Sequence, residues 1–180
     1  LADALVGQVV LAEIARHDWD NMTCGCMRSA AHVPQHLLAA LSTPPPERVG
    51  EGWADNHVYI QSNLMAPAAA TAGVVAAALA DPLVPLVWRR SLIEVLCMLC
   101  YGEQDDIAEA CQRAVRGCVW SLYEEIGSGR AVDAASYAFE LLVCFPEERG
   151  RLAYFQERYR AHLAADLHAE HFDVHSIDSP

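Results

Sequence analysis

The sequence contains no lysine: its 12 basic residues are all arginine, set against 24 acidic residues for a net charge of −12. A surface of that sign repels a phosphate backbone, so nucleic-acid binding is disfavoured and a basic protein partner is the natural electrostatic complement. Apolar runs are short. None reaches the roughly 18 residues that a membrane-spanning helix needs, so no membrane role is expected. The opening stretch carries Asp3 and Glu13 and no basic leader, which argues against a signal peptide. Alternating strand-like runs are absent. The 7 cysteines are odd in number and follow no framework spacing. Cys97, Cys100, Cys111, Cys118 and Cys144 fall in apolar helical segments, as reduced core thiols of a cytoplasmic protein would. A nucleophile elbow, a phosphate loop and a metalloprotease helix are all missing, so no catalytic residue and no cofactor is assigned.

Hydrophobic residues make up 53% of the 180, and alanine dominates them. That composition favours helix and is ample for a core without staples. Apolar periodicity predicts a first helix from about Ala2 to Arg16, then a second with Val33, Leu37, Ala40 and Leu41 on one face. Pro44-Pro45-Pro46 stops it, and a third helix is expected to carry Val49, Trp53, Asn56 and Ile60. The segment from Leu64 to Ala80 reads as a helix buried all round, ended by Asp81-Pro82. Leu92, Val95, Leu96 and Leu99 mark a fifth helix; a sixth runs from Asp105 to Ile126. Val132 to Leu142 forms a seventh, and Leu152 to Leu167 an eighth. Pairs begin near Val33, Ala66 and Asp105, and a spacing of roughly 35–40 residues suits stacked two-helix repeats. The expected fold is therefore all-α, an α-α superhelix of about eight antiparallel helices.

Asp18-Trp19, the run Ser29-Ala30-Ala31-His32-Val33-Pro34 with HLLAAL behind it, Gln61, Leu79-Ala80-Asp81-Pro82 and SLIEVLCML follow one another in a telling order. In these stretches the chain resembles small HEAT-like repeat proteins common in GC-rich bacterial genomes. The resemblance spans residues 15–102. With the helix pattern of the rest of the chain, a single HEAT/armadillo-like domain is expected over residues 1–180, with a cap helix over 1–17, another over 150–172 and a tail over 173–180. The resemblance also implies a partner-binding role rather than a reaction. A His-Gln-Gly element frequent in such proteins is altered here, with Ile60 and Ser62 in the flanking positions.

Four places carry groups able to bind. Trp53, Asn56, His57 and Gln61 put polar and aromatic groups along the third predicted helix, where they would line a groove or a pocket between the third and fifth helices. Trp88 and Arg89, with Arg90, form the one compact basic-aromatic patch, of a kind that anchors interfaces. Cys24-Gly25-Cys26 in a loop offers two thiolates for a soft metal or a redox pair. A structural zinc site calls for a second Cys or His pair, and none follows at a familiar spacing, so these are expected to be ordinary loop thiols with no metal assigned. His168, His171 and His175 would share a helix face near the C-terminus, but at a fraying end. The expected function is non-catalytic binding of another protein. A small-molecule enzyme or carrier and a metal-binding protein are the alternatives.

Overall fold

The computed structural model describes residues 6–177, and these are mostly helical with one very short hairpin. The all-α class is as expected. The helices are α1 Gln8–Ala15, α2 His32–Ala40, α3 Ala68–Ala80, α4 Arg89–Cys100, α5 Asp105–Val115, α6 Val119–Ser128, α7 Val132–Val143 and α8 Arg149–Arg158. The hairpin pairs β1 Tyr59–Ile60 with β2 Asn63–Leu64. The described chain divides into two compact units, up to Cys118 and from Val119.

In the first unit α3 is the central element. Its residues from Ala68 to Leu79 are nearly all buried, and it packs against α1, α4 and α5. Small side chains make that possible: a Cβ on Gly73 would lie 2.3 Å from Glu13 Oε1 of α1. α4 contributes Leu92, Ile93, Val95, Leu96 and Leu99 to the same core. Asp105 and Asp106 sit in the first turn of α5 and Arg113 in its last, each with the charge that suits its end of the helix.

The predicted third helix does not form. Gly50, Gly52 and Asn56 take φ of 67°, 81° and 62°, which a right-handed helix cannot accommodate. The carbonyl of Gly50 instead accepts the amides of Trp53, Ala54 and Asp55 at 3.2, 2.8 and 2.9 Å. Tyr59 donates its hydroxyl to the Val49 carbonyl at 3.0 Å. A Cβ on Gly50 would come within 2.5 Å of that hydroxyl, so this turn requires glycine. The hairpin beyond it is tied to the α4–α5 connection through Glu103 N–H to Ser62 O, 3.0 Å, and Leu64 N–H to Gln104 Oε1, 2.6 Å.

The predicted sixth helix is broken by a 3₁₀ turn at Arg116–Cys118, where Gly117 lowers helix propensity. In the second unit α6 packs on α7 and α8 around Leu122, Phe139, Leu142 and Leu152. The eighth helix is shorter than expected. It stops at Arg158, and short 3₁₀ turns follow at Arg160–His162 and Ala165–Leu167. Buried Gln156 holds this return by donating to the carbonyls of Leu167 and Phe172 at 2.7 and 2.8 Å. Of the expected tail, Val174 is buried and Arg149 donates to the Ile177 carbonyl at 2.6 Å, while residues 178–180 lie outside the described chain.

Candidate metal centre

Between α1 and α2 the chain makes a tight knuckle. Trp19 is buried and donates its indole N–H to the Ile14 carbonyl at 2.8 Å, fixing the entry to the end of α1. Thr23 then bridges Ser29, Cys24 N–H donates to Arg28 O at 2.8 Å, and Met27 N–H donates to Cys24 O at 2.9 Å. Met27 closes the turn with φ of 65°. Cys24 and Cys26 ride on this knuckle, and α2 starts directly after it with His32 as its first residue. Helical side chains lean toward the N-terminus, which aims His32 back at the two thiols.

His57 arrives from the non-helical segment. The left-handed Asn56 turns the chain, and the His57 carbonyl accepts Gly25 N–H at 2.8 Å. The approach is close enough that a Cβ on Gly25 would lie 2.8 Å from the Asn56 carbonyl oxygen. Gly25→Ala is therefore expected to push the knuckle away from His57 and weaken metal binding by about 10- to 100-fold, the range typical of altered support around a metal site. Gly150→Ala in α8, where an added Cβ meets nothing within 4 Å, is the control for a titration with zinc.

The four donors converge. Cys24 Sγ lies 3.2 Å from His57 Nδ1 and 3.5 Å from His32 Nε2. Cys26 Sγ lies 3.8 Å from His32 Nε2, and the two ring nitrogens are 3.1 Å apart. All four ligand atoms fall within 4.8 Å of one another. A tetrahedron built from ordinary Zn–S and Zn–N bonds has edges of about 3.8 Å between sulfurs, about 3.5 Å from sulfur to nitrogen and about 3.3 Å between nitrogens. The three sulfur–nitrogen separations of 3.2, 3.5 and 3.8 Å and the nitrogen–nitrogen separation of 3.1 Å each lie within about 0.3 Å of those edges. The donor types also fit: two thiolates and two imidazoles suit zinc, and two thiolate charges neutralise a divalent ion.

The electrostatics separate the donors. Burial pushes the Cys24 thiol above its ordinary value, partly offset by a backbone hydrogen bond from Cys26. A side-chain hydrogen bond from Arg28 lowers the Cys26 thiol. Burial lowers the His57 imidazole, aided by neighbouring His32 and His36, so it favours the neutral form that ligates a metal. Cys111 and Cys118, pushed up to about 12 by burial, are inert core thiols as expected.

A pH dependence follows from these directions. Below the thiol range each thiolate formed on binding releases a proton, so the two thiols alone are expected to lower zinc affinity by about 100-fold per unit of decreasing pH, and protonation of the imidazole ligands steepens the fall. Burial lowers the His57 imidazole and so delays its contribution to lower pH. Zinc titrations at three pH values between 5.5 and 7.5 check the slope; a pH-independent affinity contradicts thiolate ligation.

The other candidates are scattered. Trp53 and Trp88 are fully buried, and Trp88 donates its indole N–H to the Thr43 carbonyl at 2.8 Å, which removes it from the surface as an interface anchor. Arg89 is half-buried and donates to the Leu79 carbonyl at 2.8 Å. Asn56 and Gln61 are exposed, each with positive φ in a turn, so they do not converge with His57 on a pocket. Of that set only His57 joins the centre. The C-terminal histidines do not assemble: no helix carries them, His171 and His175 are exposed, and His168 Nε2 lies 3.3 Å from the Leu163 carbonyl. His32 was not among the binding residues expected from the sequence, yet the fold brings it into this cluster. The available signal was the pair Cys24-x-Cys26 followed closely by His32-x-x-x-His36, two chelating spacings side by side. Comparison with protein-family models, with curated proteins and with solved structures finds no match to this chain.

Proposed function

We propose that this chain is a zinc-dependent, non-catalytic binding protein in which Cys24, Cys26, His32 and His57 hold one Zn²⁺. The observation that carries this reading is the convergence of those four donor atoms to within 4.8 Å of one another, with sulfur–nitrogen and nitrogen–nitrogen separations close to those of a zinc tetrahedron. Four protein ligands leave no open position on the metal, which favours a structural over a hydrolytic role. The metal would fasten the knuckle and α2 to the turn-rich, non-helical segment that carries His57. Free thiols throughout the described chain suit a reducing compartment such as the cytoplasm. The test is titration of the metal-free protein with zinc against a chromophoric chelator. One equivalent is expected to bind, and His57→Ala is expected to remove it. Binding that His57→Ala leaves untouched refutes this ligand set.

What the module binds is best read as another protein. The supporting observation is an apolar groove of about 320 Å³ lined by Gly7, Val9, Ala77, Ala80, Pro82 and Leu83, with Val9 and Leu83 exposed at 71% and 56%. Exposed apolar surface beside an acidic chain fits a basic partner of the HEAT-like recognition kind. A partner complex that is insensitive to high salt argues against electrostatic recognition.

A further inference from the structure

His36 lies one helical turn beyond His32 on α2. Its ring centroid is 5.0 Å from that of His32 and 5.7 Å from that of His57. Its Nδ1 is buried and has no hydrogen-bond partner. A buried ring nitrogen left unsatisfied costs stability, and beside a cluster of thiols and imidazoles a metal ion is the partner that would satisfy it. Histidines at i and i+4 share one helix face, a spacing that chelates a single zinc ion. Cys26 is the more exposed of the two thiols: it is half-buried, whereas Cys24 is 1% exposed, and its separation of 3.8 Å from His32 Nε2 exceeds those of Cys24 from either imidazole.

We propose that His36 is a reserve ligand of the zinc centre, replacing Cys26 so that the ion passes between a Cys24/Cys26/His32/His57 set and a Cys24/His32/His36/His57 set. The proposal rests on the zinc-binding reading and deepens it. Three donors are common to both sets, so the ion keeps four ligands while the outer thiol is away from it. The exchange changes the charge of the centre, because Zn²⁺ with two thiolates is neutral and with one thiolate is a monocation. The released Cys26 thiolate stays beside the Arg28 guanidinium, which hydrogen-bonds it.

Cobalt(II) is the probe: its visible bands report four-coordination and its near-ultraviolet sulfur charge-transfer band reports the number of thiolates. Wild type is expected to bind one equivalent with two thiolates, and His36→Phe to do the same. Cys26→Ala is expected to stay four-coordinate with the charge-transfer band reduced to about half. The double variant Cys26→Ala/His36→Phe is expected to lose four-coordination and bind at least about 10-fold more weakly than Cys26→Ala alone. Identical spectra and affinities for Cys26→Ala and the double variant overturn the proposal. A wild type that takes up no stoichiometric cobalt overturns the zinc-binding reading instead. If Cys26→Ala does not fold, alkylation of Cys26 in the zinc-loaded proteins decides the matter. Zinc retained by wild type but released from His36→Phe supports the reserve ligand; equal release from both contradicts it.

Discussion

Replacing Cys24 with alanine is expected to abolish stoichiometric zinc binding and to remove about 4 kcal/mol of stability at a free zinc concentration 1,000 times the dissociation constant. The magnitude follows from linkage, because the four donors meet only in the folded chain: His57 is 33 residues from Cys24 in sequence. The unfolded chain has no such site, so the binding free energy adds to the folding free energy. Cys24 is the donor to remove first. It is buried, touches both histidines and lies against the His57 carbonyl at 3.4 Å, so no water or neighbouring side chain takes its place easily. Thermal unfolding of wild type and Cys24→Ala over a range of zinc concentrations checks this. The wild-type midpoint is expected to climb with zinc and the variant midpoint to stay flat. Parallel behaviour of the two proteins contradicts the assignment.

Trp88→Ala is expected to cost about 3–5 kcal/mol, the range for deleting a buried large aromatic side chain. Trp88 is 0% exposed at the start of α4. Its indole N–H reaches back to the Thr43 carbonyl at 2.8 Å and so ties the loop after α2 to the core. Truncation removes both the packing and this bond. Trp88→Phe separates them: it keeps most of the apolar burial and is expected to lose about 1 kcal/mol for the missing bond, plus a smaller packing term. Urea unfolding of the three proteins gives the comparison. An interface tryptophan would behave otherwise, with partner binding lost and stability unchanged.

Much of the helical framework was legible because single residues mark it. The small, almost wholly apolar run of α3 marks a buried helix, and Asp81-Pro82 ends it. Leu92, Val95, Leu96 and Leu99 face the core as their spacing demands. The expected third helix failed for a reason also present in the chain. Gly50 and Gly52 weaken any helix there, but an apolar stripe through Val49, Trp53, Asn56 and Ile60 outweighed them in a reading by periodicity. In the folded chain Trp53 is buried from a turn rather than from a helix. The long final helix was over-read in the same way. Leu163 and Leu167 are buried as their spacing implies, but by a chain that doubles back under Gln156.

The candidate metal centre was the least legible part. Cys24 and Cys26 declare themselves by proximity, yet their partners come from the first turn of a helix and from a distant left-handed turn. Nothing in the spacing of Cys26, His32 and His57 matches a familiar zinc framework. What joins them is tertiary: the hydrogen bond from Gly25 N–H to the His57 carbonyl, and an approach that only a residue without a side chain allows. Such a contact has no local sequence signature.

Zinc K-edge X-ray absorption of the purified, zinc-loaded protein reads the ligand set of the centre itself. One zinc per chain is expected, with two sulfur ligands at about 2.3 Å and two imidazole nitrogens at about 2.0–2.1 Å. A shell of oxygen and nitrogen donors without sulfur, or a protein that holds no stoichiometric zinc, contradicts that ligand set.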